Sequence, residues 1–190
     1  MKLKDIATIY IGITYPRVQE KTSCDSLFNY KLLTLKSFND NNIIDENFVE
    51  NFKTNKKINE KYFTKEGDLL IKLNSPINLI YIKKEYENLL VPIHFAIIRC
   101  NSNKISNKFL YTFLKNFHFQ KLLLGGTIAF LHISTLNNID VPNFSIEKQE
   151  KIAKIYELME KQNIFYKNLI TKIELKNKII INQLLKEKND

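Results

Sequence analysis

Cysteine, proline and glycine are scarce in this chain, and each scarcity excludes some chemistry. Cys24 and Cys100 are the two cysteines in 190 residues. They match no metal-ligand or redox spacing, so they read as ordinary reduced thiols of a cytoplasmic protein. None of the four prolines neighbours another, which excludes the Asn/Asp-Pro-Pro-Tyr/Phe segment of adenine methyltransferases. The four glycines form no Walker loop, dinucleotide fingerprint or Gly-x-Ser-x-Gly elbow. No apolar run reaches the roughly 18 residues of a membrane span. The basic start is interrupted at Gly12 and Pro16, so no signal peptide is expected. A metal nuclease would want Asp68 followed by Glu-x-Lys, and neither Glu85 nor Glu87 has the lysine. Glu174-Leu175-Lys176 fits that spacing but lies in a long helical stretch. His94, His118 and His132 are scattered, and His118 on an apolar helix reads as structural. The chain is therefore not expected to be an enzyme by itself or to hold a metal.

What the chain does have is positive charge. The net charge is +9, which favours an acidic partner such as nucleic acid. Lysine supplies 27 of the 29 basic residues, and asparagine and isoleucine are abundant too, as in an AT-rich genome. Residues 1–146 carry 19 basic and 13 acidic residues, net +6, against 10 and 7, net +3, for residues 147–190. The larger excess lies in the first part, which is the better candidate for contact with phosphates. The 44% hydrophobic content is that of a globular chain.

Hydrophobic periodicity points to an α+β domain followed by one long helix. Leu3 to Ile13 reads as a turn and a strand. Tyr30–Leu35, Asp68–Leu73, Ile77–Ile82 and Leu89–Cys100 read as further strands, the last with Pro92 near its start. Phe48 to Tyr62 is polar and basic, with no element assigned. Lys108 to Leu124 spaces Leu110, Phe113, Leu114 and Phe117 as an amphipathic helix. Gly125-Gly126-Thr127 then breaks the pattern, Ile139–Val141 is strand-like, and Pro142 stops it.

Ser145 or Asn143 can cap the next helix, with Glu147 and Gln149 in its first turn. That helix runs for about 40 residues, roughly 60 Å, which exceeds what the domain's own core needs. Ile152, Met159, Tyr166, Ile173 and Ile180 form a fully apolar seven-residue row. The companion row of Ile155, Gln162, Leu169, Lys176 and Gln183 is mixed. This is a coiled-coil stripe whose partner helix must come from another chain, and Gln162 and Lys176 are candidates to set register.

Lys53, Lys56 and Lys57 lie among Asn51, Asn55 and Asn59. Lysine neutralises phosphate and asparagine can read adenine edges, although a solvated face is the simpler alternative. Arg17 follows Tyr15-Pro16 in a loop and could pair bidentately with guanine or phosphate, or be an ordinary surface residue. Lys72 and Asn74 end the strongest strand. Thr127 and His132 flank the apolar segment 128–131. Gly125 and Gly126 allow a close backbone approach, although a helix C-cap would also explain them.

With these segments in order, the chain resembles the specificity subunits of type I restriction-modification systems. The resemblance rests on KLKDIATIYIG, on FTKEGDLLIKL with Gly67-Asp68, and on the Gly126-Thr127 corner. It rests further on Val141-Pro142 and on Glu147-Lys148-Gln149. The single Pro142, followed by Asn143-Phe144-Ser145, departs from the two prolines common in the family. Family members carry two target recognition domains and two long helices, and this sequence shows one of each.

The resemblance implies a target recognition domain over residues 1–145 and a spacer helix over 146–190. The domain would bind double-stranded DNA through Arg17, Lys53, Lys56, Lys57, Lys72, Asn74, Thr127 and His132. It would read half of a bipartite, palindromic site. A homodimer would form through antiparallel C-terminal helices, using Ile152, Ile155, Met159, Tyr166, Leu169, Ile173 and Ile180. DNA methyltransferase subunits would dock on the helix, with restriction subunits as further partners. S-adenosylmethionine would sit on the methyltransferase, leaving this chain without a cofactor. The alternative is a coiled-coil interaction protein that acts as an inhibitor or decoy of a methyltransferase complex.

Overall fold

The computed structural model describes residues 1–14, 28–38, 43–101, 103–123 and 129–186. The chain divides into two units, Met1–Glu150 and Lys151–Asp190. Arg17 and Thr127, with the Gly125-Gly126 corner, lie outside the described residues.

The first unit is built on two small sheets. One has the order β1-β7-β4-β5, formed by β1 (Ala7–Ile11), β4 (Leu69–Lys72), β5 (Leu79–Tyr81) and β7 (Phe95–Cys100). All its pairings are antiparallel. The other has the order β3-β2-β6, formed by β2 (Phe28–Leu32), β3 (Glu50–Thr54) and β6 (Leu89–Leu90). Here β2 runs antiparallel to β3 and parallel to β6. Three helices follow: α1 (Asn107–Lys115), α2 (Ile133–Asn137) and α3 (Ile146–Lys186).

The central strands β4 and β7 are almost wholly buried, as the continuous apolar runs LLI and FAII require. Leu70, Ile80, Phe95 and Ile97 join Leu33, Phe38, Ile82 and Val91 in the main core. The helix α1 lies against β5. It buries Phe109, Leu110 and Leu114, and Tyr111 meets Tyr81 edge-on at 6.0 Å.

The motif residues behind the resemblance have structural work here. Gly67 sits at φ +85°, where a side chain would be strained. Asp68 next to it is buried and takes Arg99 through Nε and Nη2 at 2.8 and 2.6 Å. It also accepts the Lys65 amide at 2.8 Å. Arg99 donates on to the Phe63 carbonyl at 3.0 Å, and Phe63 is bridged to Leu90 of β6, so the pair links the first sheet to the second. Gln149, fully buried, accepts from the Ser106 amide at 2.8 Å and donates to the carbonyls of Lys104 and Phe144, both at 2.9 Å. The start of α3 is thereby tied to the start of α1. Ser145 caps α3 through the Lys148 amide at 3.4 Å.

The mixed α+β fold with a long C-terminal helix agrees with the sequence reading. Several details do not, among them Ile139–Val141, which forms only the isolated bridge of Asp140 to Lys2. The expected strand Leu89–Cys100 is two strands in two sheets, because the chain crosses between them at Pro92, which has no amide hydrogen for a ladder. The helix expected over Lys108–Leu124 stops at Lys115. Asn116 turns its Nδ2 back onto the Thr112 carbonyl at 2.8 Å, and a 3-10 turn, Phe119–Leu122, follows. The strand expected at Tyr30–Leu35 begins earlier, at Phe28, and Thr34 caps a 3-10 turn at its end. Finally, the unassigned polar stretch Phe48–Tyr62 contains β3.

Candidate nucleic-acid interface

The hairpin pair β2–β3 presents two different faces. Along FNYKL and ENFKT the side chains alternate, as a half-buried strand requires. Tyr30 and Phe52 stand opposite each other and pack with Ile13, Ile58 and Tyr62 against Leu32, Phe63 and Leu90. Tyr30 also accepts the Ile58 amide at 3.3 Å. The other face is exposed and carries Asn29 opposite Lys53, and Lys31 opposite Asn51. Two lysines and two asparagines thus share one face of the strand pair, and none of the strand residues on that face is a carboxylate. Among the described strands, β3 is a sheet edge. Lys56 and Lys57, both exposed, follow in the bend after β3, where the Lys56 amide donates to Thr54 Oγ1 at 3.2 Å.

A second group forms where β4 ends. The Leu131 amide donates to the Leu73 carbonyl at 2.8 Å, and the Ser75 amide to the Ala129 carbonyl at 3.1 Å. Asn74 is bridged to Phe130, and the Phe130 ring meets His132 edge-on at 5.4 Å. The Leu73 amide reaches the His94 carbonyl at 2.9 Å. Lys72, Asn74 and His132, distant in sequence, therefore lie on adjoining segments together with His94. Asn74 Oδ1 is buried with no hydrogen-bond partner among the described residues.

The expected DNA contacts thus fall into two groups on different parts of the first unit. Lys53, Lys56 and Lys57 belong to the ribbon, while Lys72, Asn74 and His132 belong to the β4 end. Asn29 and Lys31 share the exposed face with Lys53 but are not among the residues the sequence singles out. The alternation Phe28-Asn29-Tyr30-Lys31-Leu32 could have flagged them, but their pairing with β3 is a tertiary fact. Arg99, one of the two arginines, is spent on Asp68. The Cys100 thiol is pushed up to about 11, chiefly by burial and then by the Asp68 charge, so it stays protonated and unreactive at neutral pH. Among the described residues, no three His, Cys, Asp or Glu side chains come together as a metal site would need. Nor is any described helix long and apolar enough to cross a membrane.

In the second unit, the described part of α3 is one unbroken helix exposed along most of its length. Ile155, Met159, Tyr166, Leu169, Ile173 and Ile180 all lie exposed, and Ile152 is half-buried. Exposed apolar surface on this scale commonly marks an interaction site. Lys161 pairs with Glu157 at 2.7 Å, but an exposed pair of this kind contributes only about 0.3–0.5 kcal/mol.

No family model and no curated protein matches the chain. Solved structures do. The chain is similar to the S subunit of a Type-I restriction-modification system from M. genitalium, at 16% identity and TM-score 0.51, over 85% of this chain and 38% of that one. It is similar, at 14% identity and TM-score 0.67, to a chain from a structure on complex assembly and conformational transition of the type I R-M system. That match covers 92% of this chain and 41% of the other. An HsdS subunit from Thermoanaerobacter tengcongensis matches at 15% identity and TM-score 0.56, over 85% and 36%. At these identities the likeness is one of fold. The chain spans roughly two fifths of the length of each neighbour.

Proposed function

We propose that this chain is a specificity subunit of a type I restriction-modification system, with one target recognition domain over residues 1–145 and one spacer helix over 146–190. The observation that carries this reading is the match at TM-score 0.67 over 92% of this chain and only 41% of its neighbour. What is shared is a domain together with its long helix.

In this reading the domain contacts one half of a bipartite DNA site. The basic face of β2 and β3 supports such contact, since β-sheet readers place strands in a DNA groove. Lysines 31, 53, 56 and 57 would take phosphates, and Asn29 and Asn51 would face base edges. Lys72, Asn74 and His132 form a second contact, with Arg17 and Thr127 as further contacts. The exposed apolar helix supports pairing with the helix of a second copy, antiparallel, so that two identical readers face a split palindrome. DNA methyltransferase subunits, and restriction subunits with them, dock on the helical spacer. Methyl transfer from S-adenosylmethionine is the methyltransferase's chemistry, and this chain directs it within the cytoplasm without catalysing it.

The test is to express the chain with its methyltransferase subunit in a host free of DNA methylation and to sequence the modified bases. The reading predicts methylation at one bipartite palindromic motif. A stable complex with the methyltransferase but no sequence-directed methylation would refute it, and would favour the decoy that occupies the specificity subunit's place.

A further inference from the structure

The apolar residues of α3 follow an eleven-residue period better than a seven-residue one. Counting from Ile155, one repeat places Ile155, Leu158, Met159 and Gln162 on a single stripe. The next places Tyr166, Leu169, Ile170 and Ile173 there, and the third Asn177, Ile180, Ile181 and Leu184. Ten of these twelve positions are apolar, against seven of ten in the two heptad rows from Ile152 and Ile155. All ten apolar members are exposed, between 42% and 59%. Lys176 and Gln183, which interrupt the heptad seam, fall outside this one. Phe165 and Leu185 border it, and Ile164, Leu175 and Ile179 lie towards the far side of the helix.

The stripe is its own complement when reversed. Turned end for end about a point between Leu169 and Ile170, it lays Ile155 on Leu184 of a second copy and Leu169 on Ile170. Every layer then joins apolar to apolar, with one exception. The two polar members, Gln162 and Asn177, fall on each other. An amide carries both donor and acceptor, so the two side chains can satisfy one another across the seam. Within one copy the Gln162 amide donates to Tyr166 Oη at 3.1 Å, which holds it along the stripe. A parallel pair would instead stack Gln162 on Gln162 and Asn177 on Asn177.

We infer that the partner of α3 is a second copy, antiparallel, with its two-fold axis at Leu169/Ile170 and its register fixed by Gln162–Asn177 pairs. The inference rests on the homodimer proposed above and adds what decides its alignment. An eleven-residue period exceeds 3.6 residues per turn, so the pair winds right-handed rather than as a left-handed heptad coil. The two symmetry-related amide pairs cost stability and specify register, as a buried asparagine does in coiled coils. At 1.5 Å per residue, this register sets the Lys151 positions of the two copies about 55 Å apart along the axis. That distance is the ruler between the two readers.

The full-length variants Q162C and N177C test the register by disulfide formation, with the wild-type chain as the baseline for Cys24 and Cys100. Equimolar mixing and oxidation should give a covalent dimer well above that baseline, while neither variant alone should. In the same samples before oxidation, sedimentation equilibrium should show a dimer. A dimer in which Q162C links to itself is parallel and overturns the inference while leaving the homodimer standing. A dimer that links Q162C to I173C instead has slipped by about one turn, and also overturns it. A chain that stays monomeric at micromolar concentration overturns the homodimer and this register together.

Discussion

Replacing Lys31 and Lys53 together by alanine is the sharpest test of the ribbon. Both side chains stand on its exposed face, away from the packing of Tyr30 and Phe52, so the fold should lose less than about 0.5 kcal/mol. Their effect on DNA is calculable from counterion release. Each phosphate contact contributes about 0.9 to the slope of log affinity against log salt. Losing two contacts should therefore flatten the slope by about 1.8. Between about 50 and 200 mM salt, the advantage of the wild type over the variant should shrink roughly tenfold. The assay is fluorescence anisotropy of the reconstituted methyltransferase complex on its own methylated site, titrated with salt. The double variant of Lys83 and Lys84, which are exposed on a 3-10 turn, removes the same charge elsewhere and should keep the wild-type slope. An unchanged slope in the ribbon variant, or an equal loss in the control, would refute DNA contact by this face.

Further outcomes follow from the core. Arg99→Met leaves Asp68, with its side chain 3% exposed, without its cation. It should cost about 3–5 kcal/mol in urea unfolding, and pairing it with Asp68→Asn should recover part of that. If the double variant is no more stable than the single, the ion pair is not the cause. A Cβ at Gly12 would collide with the carbonyl oxygens of Val91 and Pro92, so Gly12→Ala should destabilise by about 1–3 kcal/mol. An unchanged unfolding midpoint would show that β1 does not lie against that connection. The raised thiol of Cys100 makes folding favour its protonated form. Its contribution is fully present below the unfolded value near 9 and is lost as pH rises towards about 11, since the unfolded chain releases its proton first. Urea midpoints over that range should fall more steeply for the wild type than for Cys100→Ala, and parallel curves would contradict this.

Local pattern alone was enough for several parts of this protein. The runs at Asp68–Leu73 and Leu89–Cys100 read as buried strands from their apolar content, although not the break of the second at Pro92. The long helix is legible because Ser145 caps it, no proline interrupts it, and its apolar residues recur at helical spacing. Gly67-Asp68 and Gln149 were legible as motif pieces but not as what they are, a tie between sheets and a tie between helices. Their partners, Arg99 and the Ser106 amide, come from far along the chain.

Tertiary structure decided the rest, because pairing is not written in any one segment. Pro92 looked like an early residue of one strand until the chain on either side joined two different sheets. Lys53 looked like part of a solvated run until β2 placed Asn29 and Lys31 beside it. Lys72, Asn74 and His132 became neighbours only through the backbone bonds of Leu131 to Leu73 and Ser75 to Ala129. The long helix is the opposite case. Its period and its polar interruptions are properties of the sequence, since a regular helix converts spacing directly into a face. The structure added that this face is uncovered along the helix.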